Sequence, residues 1–406
     1  MVNSLLRQNV AEARSNSGLG VVESLKNGAW VKFICGASNQ DLPLIRNLCL
    51  LYTLAGVDCI DLSADPAVVM SAEEGVTRAL QLMSAEEGAT LALQQQQQQH
   101  RRPLLMISVN DNEDLHFRKA VFDPTHCPKD CPRPCEKVCP AWAIGPRPLS
   151  SSSSSSTAGV IAERCYGCGR CIPTCPLGII EGVSYTIDRK TISNMFNSGI
   201  VDAIEIHTQH GQGVAFAQLW DEIGHSVLSR AAVVAVSFPD MKNETLPYLN
   251  ELQGIIAQHP AWSTFTGVQI WQTDGRPMSG DVGKGMAHAS TNFARRILDE
   301  LSATDPGKLP AVERIINLNG GKHFLQLAGG TNDYSPPLAK SQGLIGAMGF
   351  GGFAFGGYAR RDIGTVLRAL EDAKPGCFIE DHPSEFHSCL EFARNLVHLV
   401  KRESKV

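Results

Sequence analysis

Eight cysteines between Cys127 and Cys175 constrain this chain more than any other feature. They fall in two quartets, each followed by a proline. Cys165, Cys168, Cys171 and Cys175 are spaced C-x2-C-x2-C-x3-C-P, and Cys127, Cys131, Cys135 and Cys139 are spaced C-x3-C-x3-C-x3-C-P. A loop this tight turns three sulfurs toward one inorganic cluster from one side, with backbone N–H groups facing it. The proline after the fourth cysteine stops the local helix and turns the chain away. Two other readings compete. Disulfides belong to small secreted domains, and no secretory signal is read here. Zinc sites show two C-x-x-C pairs set apart, not this run. The spacing therefore predicts iron–sulfur binding.

The second quartet has the bacterial ferredoxin spacing, in which the fourth cysteine serves the other cluster of a two-cluster domain. If the ligands swap in that way, Cys127, Cys131 and Cys135 join Cys175, and Cys165, Cys168 and Cys171 join Cys139. Two clusters of the 4Fe-4S type are expected. The extra residue in each of the first two gaps of the first quartet leaves a 3Fe-4S form open for one of them. The other five cysteines, Cys35, Cys49, Cys59, Cys377 and Cys389, sit in apolar surroundings and read as buried thiols in a reducing compartment.

Around this segment, short apolar runs alternate with helical patterns. The strands expected are Val31–Ser38, Val57–Leu62, Pro103–Asn110, Val201–Thr208, Ala231–Pro239, Gly267–Thr273, His323–Ala328 and Ala347–Phe355. Asp41 and Pro43 open the first helix and Gly56 closes it. Apolar strands of this kind suit parallel pairing buried on both faces. Eight of them predict an α/β fold, a (β/α)8 TIM-like barrel with an inserted two-cluster ferredoxin-like module; an open doubly wound sheet is the alternative. The expected division is an N-terminal segment 1–30, barrel 31–125, insert 126–182, barrel 183–375 and a C-terminal helix 376–406. The insert follows strand three, so it should open on the C-terminal face of the barrel, where ligands bind. The MSAEEG repeat at Met70–Gly75 and Met83–Gly88 reads as a helix lengthened by duplication. The runs Gln94–Gln99 and Ser150–Ser156 read as polar inserts.

The ends of the last two strands carry AGGTND and FGGYARR. Gly329, Gly330, Gly356 and Gly357 let backbone N–H groups approach an anion, and Arg360 or Arg361 adds charge. A phosphate or flavin-phosphate site is one reading; tight strand ends are the plainer one. Asn39, Asp65, Asn110, Asp240, Asp274 and Arg276 are further polar groups at expected strand ends. His207 and His210 would relay protons near neutral pH, or are merely solvated. The loop from Asp274 through Ser279 and Asp281 to Gly285 reads as a lid, a partner surface or a connector. No catalytic residue is assigned. The net charge of −5 gives no general nucleic-acid surface, and no apolar run is long enough to span a membrane.

The stretch SLKNGAWVKFICGASNQDLPLIRNLCLLYTLAGVDCIDLSADPAVV resembles the light-dependent period A (LdpA) family of cyanobacteria. So do both cysteine quartets, QTDGRPMSGDVGKG, LAGGTND and AFGGYARR, from about Ser24 to Leu370. The chain departs from the family at the duplication and at the Gln and Ser tracts. The resemblance implies a redox-active iron–sulfur protein that feeds light or metabolic state into the circadian clock. Its implied partners are clock-input proteins, namely the Kai oscillator proteins and clock-linked histidine kinases. Homologues occur in algae and plants, which lack that oscillator, and the homopolymer tracts suggest such a source. The compartment would then be the plastid stroma, or the cytoplasm of a cyanobacterium. The first twenty residues read as a loose amphipathic start, or as a sequence lacking the true N-terminus, rather than as a transit peptide. Three roles follow: a redox sensor or electron carrier, an oxidoreductase feeding electrons to a ligand in the barrel, or clusters that only pin a large loop.

Overall fold

The computed structural model describes residues 20–90, 102–145, 159–274, 283–303, 323–347 and 349–404. The Gln and Ser tracts lie outside these residues, as do Arg276, Ser279 and Asp281. So do residues 1–19.

Eight parallel strands close into a barrel. In chain order they are β1 (Trp30–Ile34), β2 (Cys59–Ser63), β3 (Leu104–Asn110), β6 (Ala203–His207), β7 (Val233–Phe238), β8 (Val268–Thr273), β9 (His323–Leu327) and β10 (Phe350–Phe355). Between β3 and β6 the chain adds a small antiparallel hairpin, β4 (Arg118–Val121) with β5 (Glu181–Ser184). Each barrel strand pairs with its neighbours in sequence, and β1 closes the ring against β10. At that seam Gly352 has φ +147°, and a Cβ there would lie 2.2 Å from the Trp30 carbonyl oxygen. Only glycine lets the two strands meet this closely.

Alternation along the strands divides the apolar side chains into two sets. Val31, Phe33, Ile60, Leu62, Leu105 and Ile107 face outward into the layer beneath the helices. Trp30, Cys59, Leu104, Met106, Val233, Ile270 and Phe324 pack together inside the barrel, with Val21 and Leu25 from the helical residues 20–26. The helix Leu42–Ala55 starts where Asp41 accepts the Leu44 N–H at 3.3 Å and ends at Gly56, φ +83°. Asp41 also accepts from Arg368 on the helix Gly357–Ala373, so one carboxylate caps one helix and fixes another.

Two strand ends differ from the sequence expectation by three residues or more. The first strand stops at Ile34, not Ser38. Gly36 turns left-handed and the Asn39 side chain donates to the Cys35 carbonyl, so the chain leaves the sheet. The last strand starts at Phe350, because Leu344–Ala347 form a turn closed by backbone hydrogen bonds. A helix not anticipated, Ser335–Ser341, stands between β9 and β10. Its two prolines sit in the first turn, where their missing N–H groups have no helical partner to lose. The duplicated MSAEEG segment does extend one helix, Pro66–Thr90.

Candidate functional site

The C-terminal ends of the strands surround one cavity. Ile34, Asp61, Glu205, His207, Gln272 and Asp274 line it from the strands. Gly329, Gly330, Gly356, Gly357, Arg360 and Arg361 line it from the last two loops. Pro140, Tyr166, Cys168 and Arg170 close it from the cysteine segment. The inserted residues therefore lie over the barrel mouth, which is the face expected from strand order.

The cavity floor is charged. Lys32, fully buried, donates to Glu205 and to the Gln272 amide oxygen. The other Glu205 oxygen accepts from Gln272 and lies 3.0 Å from His207 Nε2. Burial works against both charges. The neighbouring Lys32 ammonium nevertheless holds the Glu205 carboxyl well below its usual range, and Glu205 and Asp61 raise the Lys32 ammonium. Asp61 accepts the Ser108 hydroxyl at 2.7 Å, yet burial and Glu205 push its carboxyl up to about 6. Ionisable groups locked in a concave barrel mouth are what a ligand site needs.

A second cluster stands on the rim. Asp114 Oδ1 lies 2.8 Å from His116 Nδ1 and 3.9 Å from His207 Nδ1. Asp274 lies 3.4 Å from His116 Nε2. Burial disfavours an imidazolium at His116, but Asp274 and Asp114 outweigh it and bring the ring to about 9. His207 is raised in the same way by Glu205.

The cysteine segment is held to the barrel through the hairpin. Lys119 on β4 donates to the carbonyls of Ser38, Ala162 and Cys165, the last at 2.8 Å. Arg118 Nε donates to the Gly167 carbonyl at 2.9 Å. Gly167 has φ +75°, and a Cβ there would lie 2.4 Å from the Arg118 carbonyl oxygen. Cys139, Cys165, Cys168 and Cys171 line one small cavity with Ala120, Ala143, Ile144 and Val160. The Ala120 and Ala143 N–H groups point at the Cys165 and Cys139 sulfurs, at 3.4 and 3.3 Å. Burial and then the other three thiols push Cys171 up to about 12. Four such thiols become thiolates together only around positive charge, so this donor set fits an iron–sulfur core. Burial raises the Cys135 thiol, and the Cys175 charge adds to it. Cys127 and Cys131 are half-buried nearby in the chain.

Several expected site residues do gather here and others do not. The four glycines, Arg360, His207 and Asp274 share the mouth. Arg360 is already engaged, donating to the Ile34 carbonyl at 3.0 Å and lying over the Tyr166 ring at 4.2 Å. His210 is exposed and packs on Tyr248, away from His207. Asp240 pairs with Arg296 and Lys242, Asn110 binds the Tyr185 carbonyl, and Asp65 caps the helix that follows it. The sequence reading missed Lys32, Asp61, Glu205, Gln272, Asp114 and His116. Charged residues at inward positions of VKFI, CIDL and AIEIH were the available signal for three of them. Cys35, Cys49, Cys59, Cys377 and Cys389 are all buried, as expected.

Comparisons with known proteins agree with this geometry. Residues 127–186 match the LdpA Fe-S cluster-binding domain, and residues 195–399 match the light dependent period A C-terminal domain. The chain is 40% identical over 385 residues to light dependent period A of Synechococcus elongatus, covering 94% of each chain. Among the described residues no helix is long and apolar enough to cross a membrane.

Proposed function

The chain belongs to the light dependent period A family, and on that premise we propose that it is a redox-active protein carrying two iron–sulfur clusters. Cys139, Cys165, Cys168 and Cys171 would hold one, and Cys127, Cys131, Cys135 and Cys175 the other. The observation that carries the reading is the cavity shared by Cys139 and the first three cysteines of the second quartet. It matches the ligand exchange of two-cluster, ferredoxin-like domains. Each cluster, when bound, takes up and releases one electron. The chain's own part is to shield the sulfurs, direct N–H groups at them and set them against the barrel mouth.

The name of the Synechococcus relative concerns a light-dependent period, and the same role is proposed here: redox state is passed to partner proteins of a clock-input or electron-transfer chain. A second reading has its own support. Cys168 lines the same cavity as Gly329, Gly330, Gly356, Gly357 and Arg360. A phosphate-bearing ligand such as a flavin in that cavity would make the protein an oxidoreductase fed by the clusters.

Anaerobic purification followed by visible and low-temperature EPR spectra, before and after dithionite, tests both. Signals that change reversibly on reduction, without a flavin band, are expected. A flavin band would favour the oxidoreductase. Clusters that dithionite leaves unchanged would remove the redox role and leave them as structural pins.

A further inference from the structure

We propose that Asp114, His116 and His207 form a mononuclear site for a divalent transition metal, separate from the cysteine-bound clusters and beside the barrel cavity. One ligand atom of each residue lies within 4.8 Å of the other two. Ligand bonds of roughly 2.0–2.2 Å require separations of this order, about 3–4 Å, between donors around one ion.

The orientation of the rings carries the inference further. Both imidazoles turn Nδ1 toward Asp114 Oδ1, at 2.8 and 3.9 Å. Both present Nε2 to a carboxylate: Glu205 at 3.0 Å for His207, and Asp274 at 3.4 Å for His116. A carboxylate behind each histidine fixes the tautomer and makes the facing nitrogen a better ligand, which is the supporting arrangement of metal sites. Asp114 is fixed too, its Oδ2 accepting the Gln209 amide at 2.6 Å. Three carboxylates thus converge on two rings, with the Lys32 ammonium donating to Glu205 on the far side of His207. Two nitrogens and one carboxylate oxygen suit zinc, iron(II) or cobalt(II) rather than magnesium or calcium. Both histidines also line the cavity, so the site stands beside the barrel mouth.

The test uses the full chain with its clusters loaded, without a histidine tag. Equilibrium dialysis against cobalt(II) should leave about one cobalt per chain. X-ray absorption at the cobalt edge should show nitrogen and oxygen neighbours. His207→Gln and Asp114→Asn should each lower the retained cobalt at least tenfold, with iron content and far-UV circular dichroism unchanged. Asp274→Asn leaves every ligand in place and should still weaken binding by about 10–100-fold. Wild-type protein that retains no cobalt or zinc would overturn the site and leave the two histidines paired with their carboxylates alone. Sulfur neighbours at the cobalt edge would overturn it as well, as would substitutions that leave retention unchanged. A substitution that unfolds the chain leaves the decision with the wild-type stoichiometry and Asp274→Asn.

Discussion

Cys168→Ala should remove one cluster and leave the other. Iron and acid-labile sulfide should fall by about half, with one EPR signal lost and one retained. The expectation follows from the grouping of the sulfurs. Cys168 shares its cavity with Cys139, Cys165 and Cys171, while the Cys175 charge acts on Cys135. Serine in place of alanine would leave an oxygen able to substitute for sulfur, so alanine is the cleaner change. Cys389→Ser is the control. That thiol is buried on the helix Pro383–Glu403, outside the cysteine segment, and the spectrum should not move. Loss of both signals together from Cys168→Ala, with the barrel still folded, would mean that the eight cysteines do not form two separate sets.

The largest effect on stability should come from Lys32→Met. The Lys32 ammonium is fully buried between Glu205 and Gln272, with the Met106 sulfur at 3.7 Å. Removing it leaves a carboxylate in the barrel interior with only His207 and Gln272 for company. Breaking one side of a buried ion pair typically costs about 3–5 kcal/mol, because the remaining charge is left without its counterion. Urea unfolding should show a midpoint lowered accordingly, with the slope unchanged. Lys32→Met combined with Glu205→Gln should recover most of the loss, since no charge then remains to be neutralised. If the double variant is as unstable as the single one, packing of the lysine stem rather than charge holds this layer of the barrel.

Much of the architecture was legible because its causes are local. Apolar strands alternating with capped helices, such as the one between Asp41 and Gly56, specify β/α units, and eight such units close a barrel. The spacing of the second quartet likewise brought Cys165, Cys168 and Cys171 to one cavity. What escaped the sequence reading depends on distance along the chain. Lys32 and Glu205 meet across 173 residues, and each alone looks like a polar interruption of a strand. Asp114 and His116 come from DNEDLHFR, which reads as a solvated loop until Asp274 and His207 close over it. The hairpin β4 with β5 pairs segments on either side of both quartets, and neither strand is apolar enough to announce itself. His207 and His210, three residues apart, part company because the chain turns between them. One faces the cavity and the other the solvent.

Iron and acid-labile sulfide counted per chain, in full-length protein purified without oxygen, test the central claim most directly. The account predicts about eight of each, or about seven iron atoms if one cluster is the three-iron form. About four iron atoms in every preparation, or zinc in place of iron, would contradict it.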